Sequence, residues 1–174
     1  MTTRRSFLKI GAAGALLLAA GGAAYRLTHP PAAPQAFVLD GEAGAVLAAI
    51  LPAMLGPVLP ADAAARQAAL DGVTSRVLGA IHGLPLGTQK EVQDLFGLLA
   101  LAPARRLLAG VSGSWREAAP EQVAAFLENW RHHRLGMLQT AYLALHDLIL
   151  GSWYAEPSTW AGIGYPGPLK ELQK

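Results

Sequence analysis

Arg134-Leu135-Gly136-Met137-Leu138-Gln139-Thr140-Ala141-Tyr142-Leu143-Ala144-Leu145-His146-Asp147-Leu148-Ile149-Leu150-Gly151-Ser152-Trp153 is the stretch that decides the fold class. Leu135, Leu138, Tyr142, Leu145 and Ile149 recur at three- and four-residue steps, the repeat of one face of an α-helix. Leu143, Leu148 and Leu150 widen that stripe almost all round, and a helix apolar on most sides belongs at the centre of a bundle. Gly136 is where the run can bend or divide.

Working back from this run, the same periodicity returns and nothing alternates as a strand would, so the expected class is all-α, a small helical bundle. Asp40 predicts the cap of a helix to about Met54, with Val46, Leu47, Ile50 and Leu51 inward and Pro52, Pro57 and Pro60 marking its end. A second helix is predicted over Asp62 to His82, with Ala69, Val73, Val77, Ala80 and Ile81 on one side and Gly83 as its stop. These two are expected to pair antiparallel. Thr88 and Glu91 read as a capping box for a helix through Val92, Leu95, Phe96 and Leu99. A short helix over Ala104 to Leu108 follows Pro103, and Pro120 with Glu121 opens another that carries Val123, Phe126, Leu127 and Trp130.

The 174 residues suffice for one core, and 52% hydrophobic against 15% charged residues excludes a disordered chain. With no cysteine there is no disulfide, no thiolate metal site and no covalent haem attachment through Cys. Four of the 14 basic residues, Arg4, Arg5, Lys9 and Arg26, precede residue 36, whereas all 12 acidic residues follow it. The remainder therefore sets ten basic against 12 acidic residues, a net charge of −2. That balance offers no basic stripe for a phosphate backbone and excludes a nucleic-acid partner.

The concentration of positive charge at the start has a second reading. Arg4 and Arg5 with Phe7, Leu8 and Lys9, followed by the uncharged Ile10 to Ala24, form a twin-arginine signal, whose paired arginines are read by the twin-arginine translocase. Gly11, Gly14, Gly21 and Gly22 dilute the apolar run, which suits that route to the periplasm better than general secretion. Fifteen residues span about 22 Å as a helix, short of the roughly 30 Å bilayer core, so a signal is favoured over a permanent span. Left uncut, the segment would hold the chain at the inner membrane; cleavage before Tyr25 would release it. Pro30, Pro31 and Pro34 make a stiff spacer. The organisation read here is leader and linker over 1–35, bundle over 36–153, and an irregular tail over 154–174.

Candidate chemistry is sparse. His132, His133, Gln139, Thr140, His146 and Asp147 fall on one face if the last helix is continuous, yet they lack the i, i+4 spacing of metal ligands. No metal site and no catalytic residue is assigned. His82 reads as a partner for the negative end of its helix dipole. Gly162-Ile163-Gly164-Tyr165-Pro166-Gly167 matches G-x-G-x-x-G in letters, but no strand precedes it and Pro166 removes an amide that a phosphate cradle needs. The tail is different in kind. Trp153, Tyr154, Trp160 and Tyr165 are four of the 12 aromatic residues, set among Pro157, Pro166, Pro168 and glycines. Such rings either pack back on the bundle or present themselves to another protein, and both can hold at once.

The run Trp160-Ala161-Gly162-Ile163-Gly164-Tyr165-Pro166-Gly167, with Glu156-Pro157 before it and the twin-arginine leader in front, resembles the gluconate 2-dehydrogenase subunit 3 family. That family's tail reads Asp-Pro, a Tyr-Gly-Gly-Asn stretch, then Trp-x-x-Ile-Gly-Phe-Pro-Gly. Here Trp160, Ile163, Gly164, Tyr165, Pro166 and Gly167 follow the last part with Tyr for Phe, Glu156 stands for Asp, and the Gly-Gly-Asn stretch is missing. This shorter form is similar to small proteins that accompany other flavoproteins of the glucose-methanol-choline type. The resemblance implies a non-catalytic small subunit of a dehydrogenase complex, binding a FAD-bearing large subunit and helping it mature and be exported. No cofactor is implied on this chain; FAD belongs to the large subunit, and haem to a cytochrome c subunit where one is present. Trp153, Tyr154, Trp160, Ile163, Tyr165 and Pro166 are the expected partner-binding residues. The alternative is a free-standing exported or membrane-anchored helical binding protein.

Overall fold

The computed structural model describes residues 35–168; the leader, with Arg4, Arg5, Phe7, Leu8 and Lys9, and residues 169–174 lie outside the described residues. Among the described residues there are six α-helices and no strand: α1 Gly41–Leu55, α2 Ala63–His82, α3 Leu86–Ala100, α4 Ala102–Leu108, α5 Pro120–Arg131 and α6 Gly136–Tyr154. Three short 3-10 turns, Gly56–Val58, Trp115–Glu117 and Pro157–Ile163, connect or extend them.

Helix starts follow local chemistry. Asp40 accepts hydrogen bonds from the amides of Glu42 and Ala43 at 3.1 and 2.7 Å, and Asp62 accepts from Ala65 at 2.8 Å. Each satisfies amides that a first turn leaves without partners. At α5 the box is half built: Gln122 reaches back to the Ala119 amide at 3.2 Å, while Ala119 has no side-chain acceptor to complete it. The expected box at Thr88 is absent, because α3 starts earlier, at Leu86, directly after Pro85. Thr88 is thus already inside the first turn.

The centre of the bundle is α1, not the last helix. Ala43, Ala45, Val46, Leu47, Ile50, Leu51 and Leu55 are all buried, and α1 packs against α3, α5, α6 and the Trp115–Glu117 turn. The last helix starts at Gly136 and commits one side, Leu138, Leu145, Ile149 and Trp153, to the core; Leu135 and Leu143 are exposed. The expected α1–α2 antiparallel pair gives way too: α2 aligns Val73, Val77 and Ile81 chiefly against α6. Pro57 and Pro60, between Leu55 and Ala61, consume the connection as a 3-10 turn and extended chain, so α2 does not fold straight back on α1.

Two further features organise the core. Trp115 donates its indole N–H to the Leu99 carbonyl at 2.7 Å, and Trp130 donates to Leu108 at 2.9 Å, closing carbonyls at the C-terminal ends of α3 and α4. Phe126 lies edge-on between the two rings, 5.7 Å from Trp115 and 4.7 Å from Trp130. The second feature is Gln89, a buried amide at 4% exposure. Its Oε1 accepts from the Phe37 amide at 2.9 Å, and its Nε2 donates to the carbonyls of Leu84 and His82 at 2.8 and 3.2 Å. Gln93 accepts from Val38 at 2.9 Å, and His82 Nε2 lies 3.0 Å from the Phe37 carbonyl. The residues leading into α1 thus borrow side-chain partners from α2 and α3, and His82 binds this segment as well as ending its own helix.

Replacing Gln89 by Met keeps the volume and removes all three hydrogen bonds, leaving buried backbone groups unpaired. Denaturant unfolding should show a loss of about 2–4 kcal/mol. In Gln89→Glu a carboxylate oxygen would face two carbonyls in the core, which holds its folded pKa above the unfolded value near 4.3. Its penalty relative to wild type is therefore smallest below pH ~4 and grows as pH rises, and parallel unfolding curves from pH 4 to 7 check that sign.

Candidate functional site

The chain that follows α6 is built by the same devices. Pro157 occupies the first turn of a 3-10 helix, where a missing N–H costs nothing, so this Pro/Gly-rich segment winds over Pro157–Ile163 instead of running irregularly. The Thr159 hydroxyl donates to the Glu156 carbonyl at 2.7 Å and approaches that of Trp153 at 3.3 Å. Trp160 Nε1 donates to the Tyr154 carbonyl, the last of α6, at 2.7 Å. Gly164 ends the turn at φ 69°, and the Tyr165 amide returns to the Trp160 carbonyl at 3.1 Å. Tyr165 then meets the Trp160 ring edge-on at 5.2 Å. Gly167, at φ 93°, passes so close to the indole that a Cβ would sit 3.3 Å from Cζ3.

This geometry divides the six sequence-predicted docking residues into three groups. Trp153 is in the core at 5% exposure and shows only an edge to the groove beside the tail, so it packs the bundle more than it offers a docking surface. Tyr154 and Trp160 are half-buried, and Trp160 is the post on which the tail is tied. Ile163, Tyr165 and Pro166 are exposed, the first two at 53% and 45%.

Beside Ile163 runs an open groove of about 470 Å³, walled by Pro57, Val58 and Pro60, by Ala69 and Gly72 of α2, and by the 3-10 turn. Its polar end is made by Arg76, which donates Nε to the Ser152 carbonyl at 2.8 Å and lies 3.5 Å from Glu156. Both members of that pair are partly exposed, at 29% and 41%, so the ion pair positions the turn more than it stabilises it. Nothing in the sequence singled out Arg76, because its partners lie 76 and 80 positions further on.

The polar face expected on the last helix is not one face. His132 caps the end of α5 and sits 3.1 Å from Glu128, and His133 accepts from the Leu135 amide in the connection. Only Gln139, Thr140, His146 and Asp147 belong to α6; His146 Nδ1 is 3.1 Å from Asp147, and Tyr142 lies beside it at 5.8 Å. Among the described residues, no three His, Asp or Glu side chains come together in a way that would hold a metal ion. The chain matches no protein-family model, no curated protein and no solved structure.

Trp160→Phe preserves a ring against Tyr165 and Gly167 but leaves the Tyr154 carbonyl without its donor. Global stability should fall by only about 0.5–1.5 kcal/mol. Amide exchange should accelerate selectively over residues 156–167, measurable by deuterium uptake.

Proposed function

We propose that this chain is a non-catalytic small subunit of a periplasmic FAD-dependent dehydrogenase complex, which binds the flavoprotein large subunit and assists its maturation and twin-arginine export. One observation carries the reading: Ile163, Tyr165 and Pro166, the part of the tail run that resembles such subunits, stand exposed on a backbone fixed by Trp160. A preformed apolar edge loses little conformational freedom on docking, which is what a permanent subunit contact requires. The leader around Arg4 and Arg5 supports the export part. FAD resides on the large subunit, and a cytochrome c subunit receives the electrons where one is present. The chain's own work is adhesion and address. A large subunit lacking its own signal crosses the membrane in the grip of this one.

The exposed edge, not Trp160, is the anchor. Ile163→Asp combined with Tyr165→Ala should weaken capture of the flavoprotein at least tenfold, about 1.4 kcal/mol, with the melting temperature of the isolated chain little changed. Trp160→Ala should lower both, because the frame goes with it. Unchanged capture by the double variant would return the chain to a free-standing exported protein.

Arg4→Lys with Arg5→Lys should keep both this chain and the flavoprotein in the cytoplasm, scored by fractionation and flavin fluorescence. A flavoprotein that still reaches the periplasm would show that it carries its own signal and remove the escort role.

A further inference from the structure

Away from the tail, the outer side of α1 carries Ala45, Ala48 and Ala49, then Pro52 and Ala53, which floor a second open groove of about 330 Å³. An arginine stands at each end. Arg116 donates Nη2 to the Gly41 carbonyl at 3.4 Å, which fixes its guanidinium beside the start of α1. Arg66 rises from the first turns of α2, just beyond the connection that leaves the end of α1. Neither has a carboxylate within 4.0 Å among the described residues, whereas Arg76, Lys90 and Arg131 each do.

This is a specific mixture. An alanine floor lets another helix approach closely, because only methyl groups stand between the two backbones. Guanidinium groups keep their charge under all ordinary conditions and match carboxylates with two parallel hydrogen bonds. The floor belongs to the helix at the centre of the core, so the groove is held rigid before anything binds. From Gly41 to Ala53 the helix axis advances about 18 Å, roughly three turns, which sets the scale on which a helix laid along the floor would space its two carboxylates.

We propose that the groove over α1 docks an acidic amphipathic helix of a partner protein, with small aliphatic side chains on the alanine floor and one carboxylate each for Arg66 and Arg116. The inference rests on the reading of this chain as a subunit, and it adds a contact separate from the tail.

The test places a photo-crosslinking amino acid at the exposed Ala48 of the full chain in its own cells, with the crosslinked site mapped by mass spectrometry. The expected product joins Ala48 to a partner helix bearing two carboxylates two or three turns apart. Arg66→Glu with Arg116→Glu should reduce that product at least tenfold, and the milder Arg66→Gln with Arg116→Gln should reduce it also, both at unchanged melting temperature. Converting the two partner carboxylates to Arg should restore the product with the charge-reversed chain. No product, a lipid product, a product at a segment without carboxylates, or one indifferent to charge reversal would overturn the proposal. An acidic partner that carries no flavin would sustain the groove and remove the dehydrogenase reading. Tail-dependent capture of the flavoprotein with nothing crosslinked at Ala48 would do the reverse.

Discussion

The constraint that arranges this molecule is the burial of α1. A helix that buries seven residues against several elements cannot be stabilised by one partner, so those elements must each turn an apolar stripe toward it or toward its neighbours. That explains the division of labour. α5 offers Val123, Phe126, Leu127 and Trp130, and α6 offers Leu138, Leu145 and Ile149; α2 closes the outside through α6 with three residues four apart.

Around that centre the fold is finished at helix ends. Trp115, Trp130 and Trp160 each send an indole N–H to a carbonyl at the C-terminal end of a helix, α3, α4 and α6 in turn. Indole is suited to this task, since it donates one hydrogen bond while burying a large apolar surface. A buried carbonyl without a partner would cost about 1–3 kcal/mol, a large fraction of the roughly 5–15 kcal/mol by which a small domain is stable. The tail belongs to this scheme: its first turn completes α6 by the means that complete α3 and α4.

How much of this is legible in the amino-acid order depends on the distance between partners. Asp40, Asp62, Gly83 and Pro120 marked helix ends correctly because capping is decided within three or four residues. Gln89 and Arg76 were invisible, as the bonds from Gln89 to Phe37 and from Arg76 to Ser152 span 52 and 76 positions, and a lone Gln or Arg on a helix reads as surface. Periodicity found the apolar faces but ranked them wrongly: α6 holds more leucine, yet α1 has no polar residue after Glu42, and its small side chains are what close packing at a centre demands. At the candidate site the aromatic tail was conspicuous from its residues alone. Which rings stay outside follows from the Trp160 hydrogen bond and the left-handed Gly164, and neither is readable from letters.

The character of α1 bears on the export proposed for this chain. Gly41–Val58 is by length and composition apolar enough to cross a bilayer, although in the folded protein it is the spine of the core. A machine that threads unfolded polypeptide would present it to lipid as a stop-transfer sequence, with a real chance of stranding the bundle halfway. Folding first conceals that sequence behind the other helices. Under the proposed export, travel in the folded state then needs no bound cofactor to justify it, because folding keeps an apolar core helix away from the membrane.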